Sequence, residues 1–276
     1  SKVFDYGITS IFIQFNYGFY EFSDLSYLIN ILKDNNVNVS ILLHSTIDPE
    51  NDDKKRLVDI KSDLDKCDRL FVHDLNDMNR LKNIDIIKNV CLFPHGILDY
   101  KPYAHSFFKL KTKAILNQSF NIASYGFCLP NKGYKELIHA IRLLRDRALN
   151  IKLTIYSAIY NESYKWVYHE ALDLIEKLEL KEHVNIEDKY LDTDQILKNL
   201  SSKDFLVYSY QSSNESSSAS VREGLATLRP VLVTPSTVFN DVSNIVEYLP
   251  GFTPEDISNG IYNFCFSNRF HQTFSS

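Results

Sequence analysis

The chain has 276 residues, of which 44% are hydrophobic and 24% are charged, and its formal net charge is -5. This length favours two domains over one, and the apolar content is sufficient for packed cores. A mildly acidic chain without a basic patch argues against a nucleic-acid partner. No apolar run approaches the length of about 18 residues that a membrane-spanning helix requires.

The cysteines and the first residues indicate the cellular compartment in which we expect the protein. The four cysteines are scattered without a CxxC pair, which is typical of free thiols in a reducing cytosol rather than of a disulfide framework. The opening sequence, SKVFDYG, lacks the charged and then apolar pattern of a secretory signal. We therefore expect a cytoplasmic protein. A peripheral position at the inner face of the membrane, and a place in a longer polypeptide, stay open.

Strands and helices alternate along the first part of the chain. Strands are predicted at residues 9–15, 39–43, 69–72 and 90–93, and helices at residues 24–33, 52–64 and 75–81. A linker is predicted near residues 100–112. Because such alternation is typical of a parallel sheet covered by helices, we expect one α/β domain over residues 1–110.

The alternation restarts after this linker. Strands are predicted at residues 121–124, 152–156, 184–187, 205–208 and 231–234. Helices are predicted at residues 133–147, 162–178, 194–200 and 217–228, with a final helix that begins near residues 253–256. These elements predict a second α/β domain over residues 111–276.

Two glutamates stand eight positions apart in the stretch YSYQSSNESSSASVREGLATLRPVLV. Glu215 is predicted in the loop after a strand and Glu223 inside the next helix, with Ser216, Ser217 and Ser218 at the helix start. Free amides and hydroxyls at a helix start suit a diphosphate, and a carboxylate on each side can accept hydrogen bonds from hydroxyl groups of a sugar and a ribose. The alternative is a surface acid at Glu215 and an ordinary helix cap.

A second loop, from Gly126 to Gly133, follows the first predicted strand of the second domain. Its only basic residue is Lys132, at the junction with a helix whose apolar residues recur at helical spacing. A cation at this junction can meet a phosphate. Taken without the two glutamates, Lys132 would be an ordinary solvated lysine.

The spacing of Glu215 and Glu223, followed by a small-residue helix end and Pro230, resembles the Glu-x7-Glu signature of retaining glycosyltransferases of family 4. The resemblance implies the GT-B fold: two Rossmann-like domains with a cleft between them, the N-terminal one shortened here. It implies that Glu215 binds the donor sugar and Glu223 the ribose of the nucleotide. Family members also carry a Lys-Gly pair that corresponds to Lys132 and the residue after it.

This chain departs from the family at one phosphate-binding position. Many members carry an arginine just after the first glycine of the loop, where this chain has Phe127. Either Lys132 works alone, or a cation such as Arg222 compensates. Donor-binding roles are therefore assigned to Gly126, Lys132, Ser216, Ser217, Ser218, Arg222 and Glu223.

The first domain supplies candidates for the acceptor side. His44 ends a buried strand, where relatives place a histidine that faces the donor sugar. We assign it a catalytic role together with Glu215 and Lys132, with a histidine at the edge of the core as the alternative. Tyr17, Gly18 and Phe19 form an aromatic loop that suits an acceptor sugar, although these aromatic residues suit a core equally well.

Two further motifs lie between the strands of the second domain. Lys189 and Tyr190 border the base pocket by resemblance, and a solvated loop is an equally good account of them. Asp192 and Asp194 look like a metal motif but precede a helix, where capping explains them. Because family-4 enzymes generally need no metal, we expect neither a metal nor a cofactor.

The sequence thus predicts a retaining hexosyltransferase that uses a nucleoside diphosphate sugar as the donor. The acceptor would be a glycan or a lipid-linked glycan, and the Asn-, Lys- and Ile-rich composition favours bacterial surface polysaccharide synthesis. One rival is a non-catalytic sugar-nucleotide-binding domain of a larger transferase. Another is an epimerase or a phosphorylase with the same architecture.

Overall fold

The computed structural model describes residues 6–100, 112–113, 116 and 118–266. The chain divides into two compact units, Ser1–His95 with Asn214–Ser218, and Gly96–Ser213 with Ala219–Ser276. The sequence placed the boundary after residue 110, inside a predicted linker that lies almost entirely outside the described residues. It did not anticipate that five residues around Glu215 belong to the first unit.

The first unit is built on a four-stranded parallel sheet with the strand order β1-β2-β3-β4. Its strands are β1 (Ser10–Phe15), β2 (Asn38–Leu43), β3 (Arg69–Val72) and β4 (Val90–Leu92). Its helices are α1 (Phe22–Asp34), α2 (Lys61–Leu64) and α3 (Leu75–Asn83). The predicted helix at residues 52–64 was too long, because only a 3-10 turn at Leu57–Ile60 and the short α2 form there.

The core of the first unit follows from the periodicity of its elements. Helix α1 buries Phe22, Leu25, Ile29 and Leu32, which lie three or four residues apart on one face. These side chains join the buried strand residues in one hydrophobic cluster. Helix α3 begins with a capping box, in which the Asp74 side chain accepts from the Asp77 backbone and the reverse bond is also present.

The second unit contains a six-stranded parallel sheet with the strand order β10-β9-β8-β5-β6-β7. Its strands are β5 (Phe120–Tyr125), β6 (Ile151–Tyr156), β7 (Val184–Glu187), β8 (Phe205–Tyr208), β9 (Val231–Val233) and β10 (Glu247–Tyr248). Its helices are α4 (Tyr134–Asp146), α5 (Lys165–Lys177), α6 (Thr193–Ser201), α7 (Ala219–Ala226) and α8 (Pro254–Phe266). Only β10 has no counterpart among the predicted strands.

Helices cover both faces of this second sheet. Buried residues of α4, α5 and α8 form one hydrophobic cluster with one face of the strands. Buried residues of α6 and α7 form another cluster with the opposite face. This is the doubly wound arrangement that near-continuous apolar strands predict. No helix in the described part of the chain is long and apolar enough to cross a bilayer.

Candidate functional site

The strand order of the second unit fixes where a ligand can bind. The chain runs outward from β5 through β6 to β7 on one side, and from β8 through β9 to β10 on the other. Strands β5 and β8 are therefore neighbours at a topological switch point, where the connections leave in opposite directions and open a crevice. The loop from Gly126 to Gly133 and the residues after Tyr208 lie at this point.

A buried lysine occupies the switch point. The side chain of Lys132 is 6% exposed, and its Nζ lies 3.8 Å from the centroid of the Tyr210 ring. No carboxylate among the described residues forms a salt bridge with this ammonium. Because burying a cation without a counter-ion is costly, Lys132 indicates a site for an anionic ligand.

Tyr210 connects this lysine to the start of α7. Its hydroxyl lies 2.6 Å from the hydroxyl oxygen of Ser220, in the first turn of α7. A Cβ at Gly126, where φ is +153°, would lie within 3.7 Å of Ser220 Oγ, Tyr210 Oη and Lys132 Cε. The absence of a side chain at Gly126 therefore keeps a small space open among a cation, two hydroxyls and a helix N-terminus, which suits a phosphate group.

The backbone beside Lys132 is held firmly. Ser209 donates from its hydroxyl to the carbonyls of Lys132, at 3.1 Å, and of Gly133, at 2.8 Å. Gly133 has a φ of +69°, and a Cβ there would lie 1.8 Å from the Ser209 carbonyl oxygen. Only glycine fits this close approach of two backbones, so Gly133 fixes the direction in which Lys132 leaves its loop.

The serine run differs from the prediction. Helix α7 begins at Ala219 instead of residue 217, because Ser216 is bound within the first unit. Its backbone N–H donates to the His44 carbonyl at 3.0 Å, and its hydroxyl donates to Asp77 Oδ1 at 2.8 Å. With both donors engaged, Ser216 does not support its assigned role in donor binding. The buried hydroxyl of Ser217 has no hydrogen-bond partner among the described residues, so it remains a candidate.

Glu223 lies inside α7, as the sequence predicted, and has a partner that the sequence did not reveal. Burial raises the pKa of Glu223, and a hydrogen bond from the Tyr125 hydroxyl opposes that shift. Burial is also the main cause of the raised pKa of Tyr125, with Glu223 second. Tyr125 ends β5, so its hydroxyl holds the carboxylate near the switch point.

Arg222 is a poor candidate for the missing phosphate cation. Its side chain is buried and pairs with Asp241, which is itself 8% exposed. The pair places the guanidinium charge on a protein carboxylate, and this partner argues against the donor-binding role that the sequence assigned to Arg222. Phe127, which replaces the expected arginine, is 45% exposed, and its ring centroid lies 5.1 Å from that of Tyr160.

Three histidines line the carboxyl ends of the strands in the first unit. His44 follows β2, His73 follows β3, and His95 lies beyond β4. His73 Nδ1 lies 3.1 Å from the Phe93 carbonyl, so this nitrogen carries a proton and donates to the carbonyl oxygen. His44 Nδ1 lies 3.3 Å from His73 Nε2, so the two rings are in hydrogen-bond contact.

The contact with Gln14 fixes the tautomer of a neutral His44. His44 Nε2 lies 2.7 Å from Gln14 Oε1, an oxygen that only accepts, so Nε2 carries the proton and donates to it. Burial and the charge of His95 lower the pKa of His44, whereas Glu215 raises it. A neutral His44 is therefore favoured, with Nε2 facing Gln14 and Nδ1 facing His73.

The segment that carries Glu215 is bound to this same end of the first sheet. Ser45 donates from its hydroxyl to the Asn214 carbonyl, and Ser216 is tied to Asp77. The Asp77 carboxylate is fully buried, and it also accepts from Thr46 at 2.6 Å and from Arg80 at 2.6 Å. Glu215 and His44 are thus brought together within one unit.

The residues of the proposed acceptor loop have different environments in the structure. The Tyr17 hydroxyl donates to Asp48 Oδ1 at 2.7 Å, and its ring packs against Phe15 and Phe22. These contacts support the core interpretation of Tyr17. Gly18 donates from its backbone to the Asn16 side chain, and Phe19 is 72% exposed. Phe19 therefore stays available for a ligand.

The remaining predicted residues lie after β7. Lys189 and Tyr190 are exposed in this loop, and Tyr190 contributes to the raised pKa of Tyr125. Asp192 caps α6 by accepting from the Gln195 backbone at 2.8 Å, so the capping interpretation is confirmed. Tyr125, Tyr210, His73 and Asp77 were missed because aromatic and polar residues at strand and helix ends look like ordinary core and cap positions.

Comparison with solved structures identifies the fold. The chain superimposes on a glycosyltransferase from Rickettsia africae with a TM-score of 0.72 and 14% identity, over 96% of this chain and 68% of that one. Anabaena HepE, solved with UDP and glucose, gives 0.70 and 14%, over 93% and 68%. The trehalose-6-phosphate synthase OtsA gives 0.67 and 14%, over 93% of this chain and 64% of that chain.

These similarities show a GT-B fold with two Rossmann-like units, as the sequence predicted. The chain spans about two thirds of the length of these three solved proteins. No model of a known protein family matches the sequence, and no curated protein matches it.

Proposed function

We propose that this protein is a retaining glycosyltransferase that moves a hexose from a nucleoside diphosphate sugar to a glycan acceptor. The observation that carries the proposal is the buried ammonium of Lys132, which has no carboxylate partner among the described residues and lies beside the start of α7 at the switch point. The fold is also that of proteins solved with UDP and with a UDP-sugar analogue.

The chemistry follows from charge. The bond between the sugar and the diphosphate breaks with its electrons on the diphosphate oxygen. The acceptor hydroxyl oxygen forms the new glycosidic bond, and its proton passes to the departing diphosphate oxygen. Lys132 stabilises the charge that develops on the departing diphosphate, in a place where a preorganised donor has most effect. Glu223 holds the ribose, while Glu215 and His44 serve the sugar and the acceptor.

Retention rests on the resemblance to family 4 and on its Glu-x7-Glu spacing. We further propose that no metal takes part, because Lys132 and the amides at the start of α7 take the place of a cation. Asp192, the first acid of the apparent metal motif, is engaged as a helix cap. The role in bacterial surface polysaccharide synthesis, on the cytoplasmic side, remains part of the proposal.

The rival function is sugar-nucleotide binding without catalysis. One observation favours it: Phe127 stands where a second phosphate cation is expected and contacts Tyr160 instead. Binding of a nucleotide sugar without release of nucleoside diphosphate would support this rival and overturn the proposed transfer.

The test begins with a thermal-shift screen of UDP-, GDP- and ADP-sugars, since a bound donor stabilises the folded state. With the best donor, release of nucleoside diphosphate is then measured in the presence of glycan acceptors, with and without EDTA. Lys132→Ala should lose about 2.7–4 kcal/mol of transition-state stabilisation. Lys198→Ala, which removes an exposed lysine of α6, is the matched control and should not change the rate.

Two results would contradict the assignment. A folded Lys132→Ala protein within about threefold of the wild-type rate would show that this loop does not hold the phosphate, because the expected loss corresponds to roughly a hundredfold or more. An absolute requirement for Mn²⁺ or Mg²⁺ would exclude the metal-free mechanism and return Asp192 and Asp194 to consideration as ligands.

A further inference from the structure

A small pocket lies between the N-terminal halves of α4 and α5, at the same edge of the second sheet as the candidate donor site. Its volume is about 220 Å³, and its lining includes Trp166, Lys135, Glu136 and Glu170. Pro130, from the loop that carries Lys132, also lines the pocket. This volume is below the roughly 300–1,000 Å³ of sites for drug-sized ligands, so the pocket suits one ring of a larger molecule.

The chemistry of the lining selects the class of ligand. Trp166 is 53% exposed and presents an indole to the pocket. Glu136 and Glu170 outnumber the single cation, Lys135, which lies 3.6 Å from Glu170. An excess of negative charge disfavours a phosphate or an acidic polymer. An apolar ring face beside carboxylate acceptors matches a neutral sugar, which has an apolar face and a rim of hydroxyl donors.

The pocket is also connected to the loop from Gly126 to Gly133, which we call the donor loop. The Tyr134 ring lines the pocket, and its hydroxyl lies 3.4 Å from the carbonyl oxygens of Gly126 and of Phe127. Tyr134 is 4% exposed, so its side chain is packed where it meets both the pocket and this loop. A ligand in the pocket therefore contacts a side chain that supports the candidate diphosphate site.

We propose that this pocket is a glycan-binding subsite that holds one neutral sugar ring of the acceptor chain. Trp166 stacks on the ring, and Glu136 and Glu170 accept hydrogen bonds from its hydroxyls. The identification of the ligand as the acceptor rests on the proposed transferase function. Binding itself does not require turnover, so the subsite can be tested separately.

The only tryptophan of the chain is Trp166, so its fluorescence reports on this pocket directly. The full chain is titrated with short neutral oligosaccharides of glucose, of galactose and of N-acetylglucosamine, each as a separate probe. We expect a saturable change in emission with at least one of them. UDP should not displace that oligosaccharide, and Lys132→Ala should retain the response.

Calorimetry of side-chain variants, with the oligosaccharide that changes the emission, measures how much each side chain contributes to binding. Trp166→Ala, and the double change Glu136→Gln with Glu170→Gln, should each weaken binding by roughly tenfold or more, as loss of stacking or of charge-assisted hydrogen bonds requires. Tyr27→Ala removes an aromatic residue of the first unit that is 69% exposed. It is the matched control and should bind like the wild type.

The outcomes separate this inference from the proposed function. An emission that does not respond to any of the three oligosaccharide classes, or unchanged affinity in Trp166→Ala, would overturn the subsite even if a donor binds and turns over. Saturable glycan binding without donor binding would leave a glycan-binding pocket and contradict the transferase. In an active enzyme, Trp166→Ala should raise the acceptor KM and leave the donor KM unchanged.

Discussion

The hydroxyl of Ser216 donates a 2.8 Å hydrogen bond to the buried carboxylate of Asp77, which lies 139 residues earlier in the chain. This contact, together with the bond from the Ser216 N–H to the His44 carbonyl, attaches residues 214–218 to the first unit. Glu215 lies inside this attached segment. Its position is therefore set by the first unit, although the helix that follows it belongs to the second.

Glu215 should accordingly affect the sugar and not the nucleotide. Glu215→Ala is expected to lower turnover by about 10- to 1000-fold, as loss of one transition-state contact would, while the affinity for the free nucleoside diphosphate of the best donor stays nearly constant. Release of that nucleoside diphosphate and its calorimetric titration measure the two effects. Glu50→Ala, an exposed acid of the same unit, is the control. Equal losses for both ligands would place Glu215 elsewhere.

Much of this architecture could be predicted from the sequence because it depends on local periodicity. Helix α4 buries Leu137, Ile138, Ile141 and Leu144, the residues whose spacing predicted it. The start of α7 could not be predicted in the same way. Nothing near Ser216 in the sequence indicates that its hydrogen-bond partners are His44 and Asp77, since those contacts exist only after the chain has folded.

In the candidate site, too, the sequence predicts on which element a residue lies but not which distant residues it contacts. Glu223 could be placed in a helix from its spacing, and Lys132 at a loop junction from the glycines around it. Their partners, Tyr125 and Tyr210, end or follow apolar strands, where a tyrosine looks like a core residue. Arg222 was offered as a phosphate cation because a charge pattern does not show that Asp241 would pair with it.

His44 should make the stability of the protein depend on pH. Burial and His95 lower its pKa below the value of about 6.5 in the unfolded chain, against the effect of Glu215. The unfolded state then binds more protons between the two values, so the free energy of unfolding should fall as the pH drops below about 6.5. Urea unfolding from pH 7.5 to pH 5 measures this trend.

The variant His44→Gln isolates this contribution. It should flatten the decline below pH 6.5, whereas the wild type loses stability through the window between the unfolded and the lowered folded pKa. His183→Gln is the control, because His183 lies in the second unit and its Nδ1 lies 3.2 Å from the Ile151 carbonyl. Identical pH profiles for the wild type and His44→Gln would contradict a half-buried, neutral His44.

Glu223 should contribute to binding of the nucleotide whether or not a sugar is attached. Glu223→Ala is expected to weaken binding of the free nucleotide and of the nucleotide sugar alike, by roughly 1.5–3 kcal/mol for a hydrogen bond to a charged group. Tyr125→Phe should have a smaller effect at neutral pH. Unchanged affinity for the free nucleotide in a folded Glu223→Ala protein would exclude the ribose assignment.

Tyr125→Phe should also change how the affinity for the nucleotide depends on pH. The Tyr125 hydrogen bond lowers the pKa of Glu223 against the effect of burial, so its removal lets that pKa rise further. The carboxylate is then protonated at a higher pH during acidification. The affinity for the nucleotide should therefore begin to fall at a higher pH in Tyr125→Phe than in the wild type. Calorimetric titrations across a range of pH measure the difference.

Gly133 should be the least replaceable glycine of the donor loop. An alanine there would adopt a positive φ, at a cost of about 1–2 kcal/mol, and its Cβ would lie 1.8 Å from the Ser209 carbonyl oxygen. Relief of that clash requires backbone movement, which costs about 1–3 kcal/mol more. Gly133→Ala should therefore lower the free energy of unfolding by several kcal/mol in urea titrations.

The same movement displaces Lys132, because Ser209 holds the carbonyls of both residues. In protein that remains folded at low temperature, the stabilisation of Gly133→Ala by the nucleoside diphosphate of the best donor should be lost or strongly reduced. Gly96→Ala is the matched control, since a Cβ at Gly96 has no neighbour within 4 Å, and it should be nearly neutral in both measurements. A Gly133→Ala protein with wild-type stability and an undiminished response to that nucleoside diphosphate would show that the loop can rearrange freely, and that its conformation does not position the ammonium of Lys132.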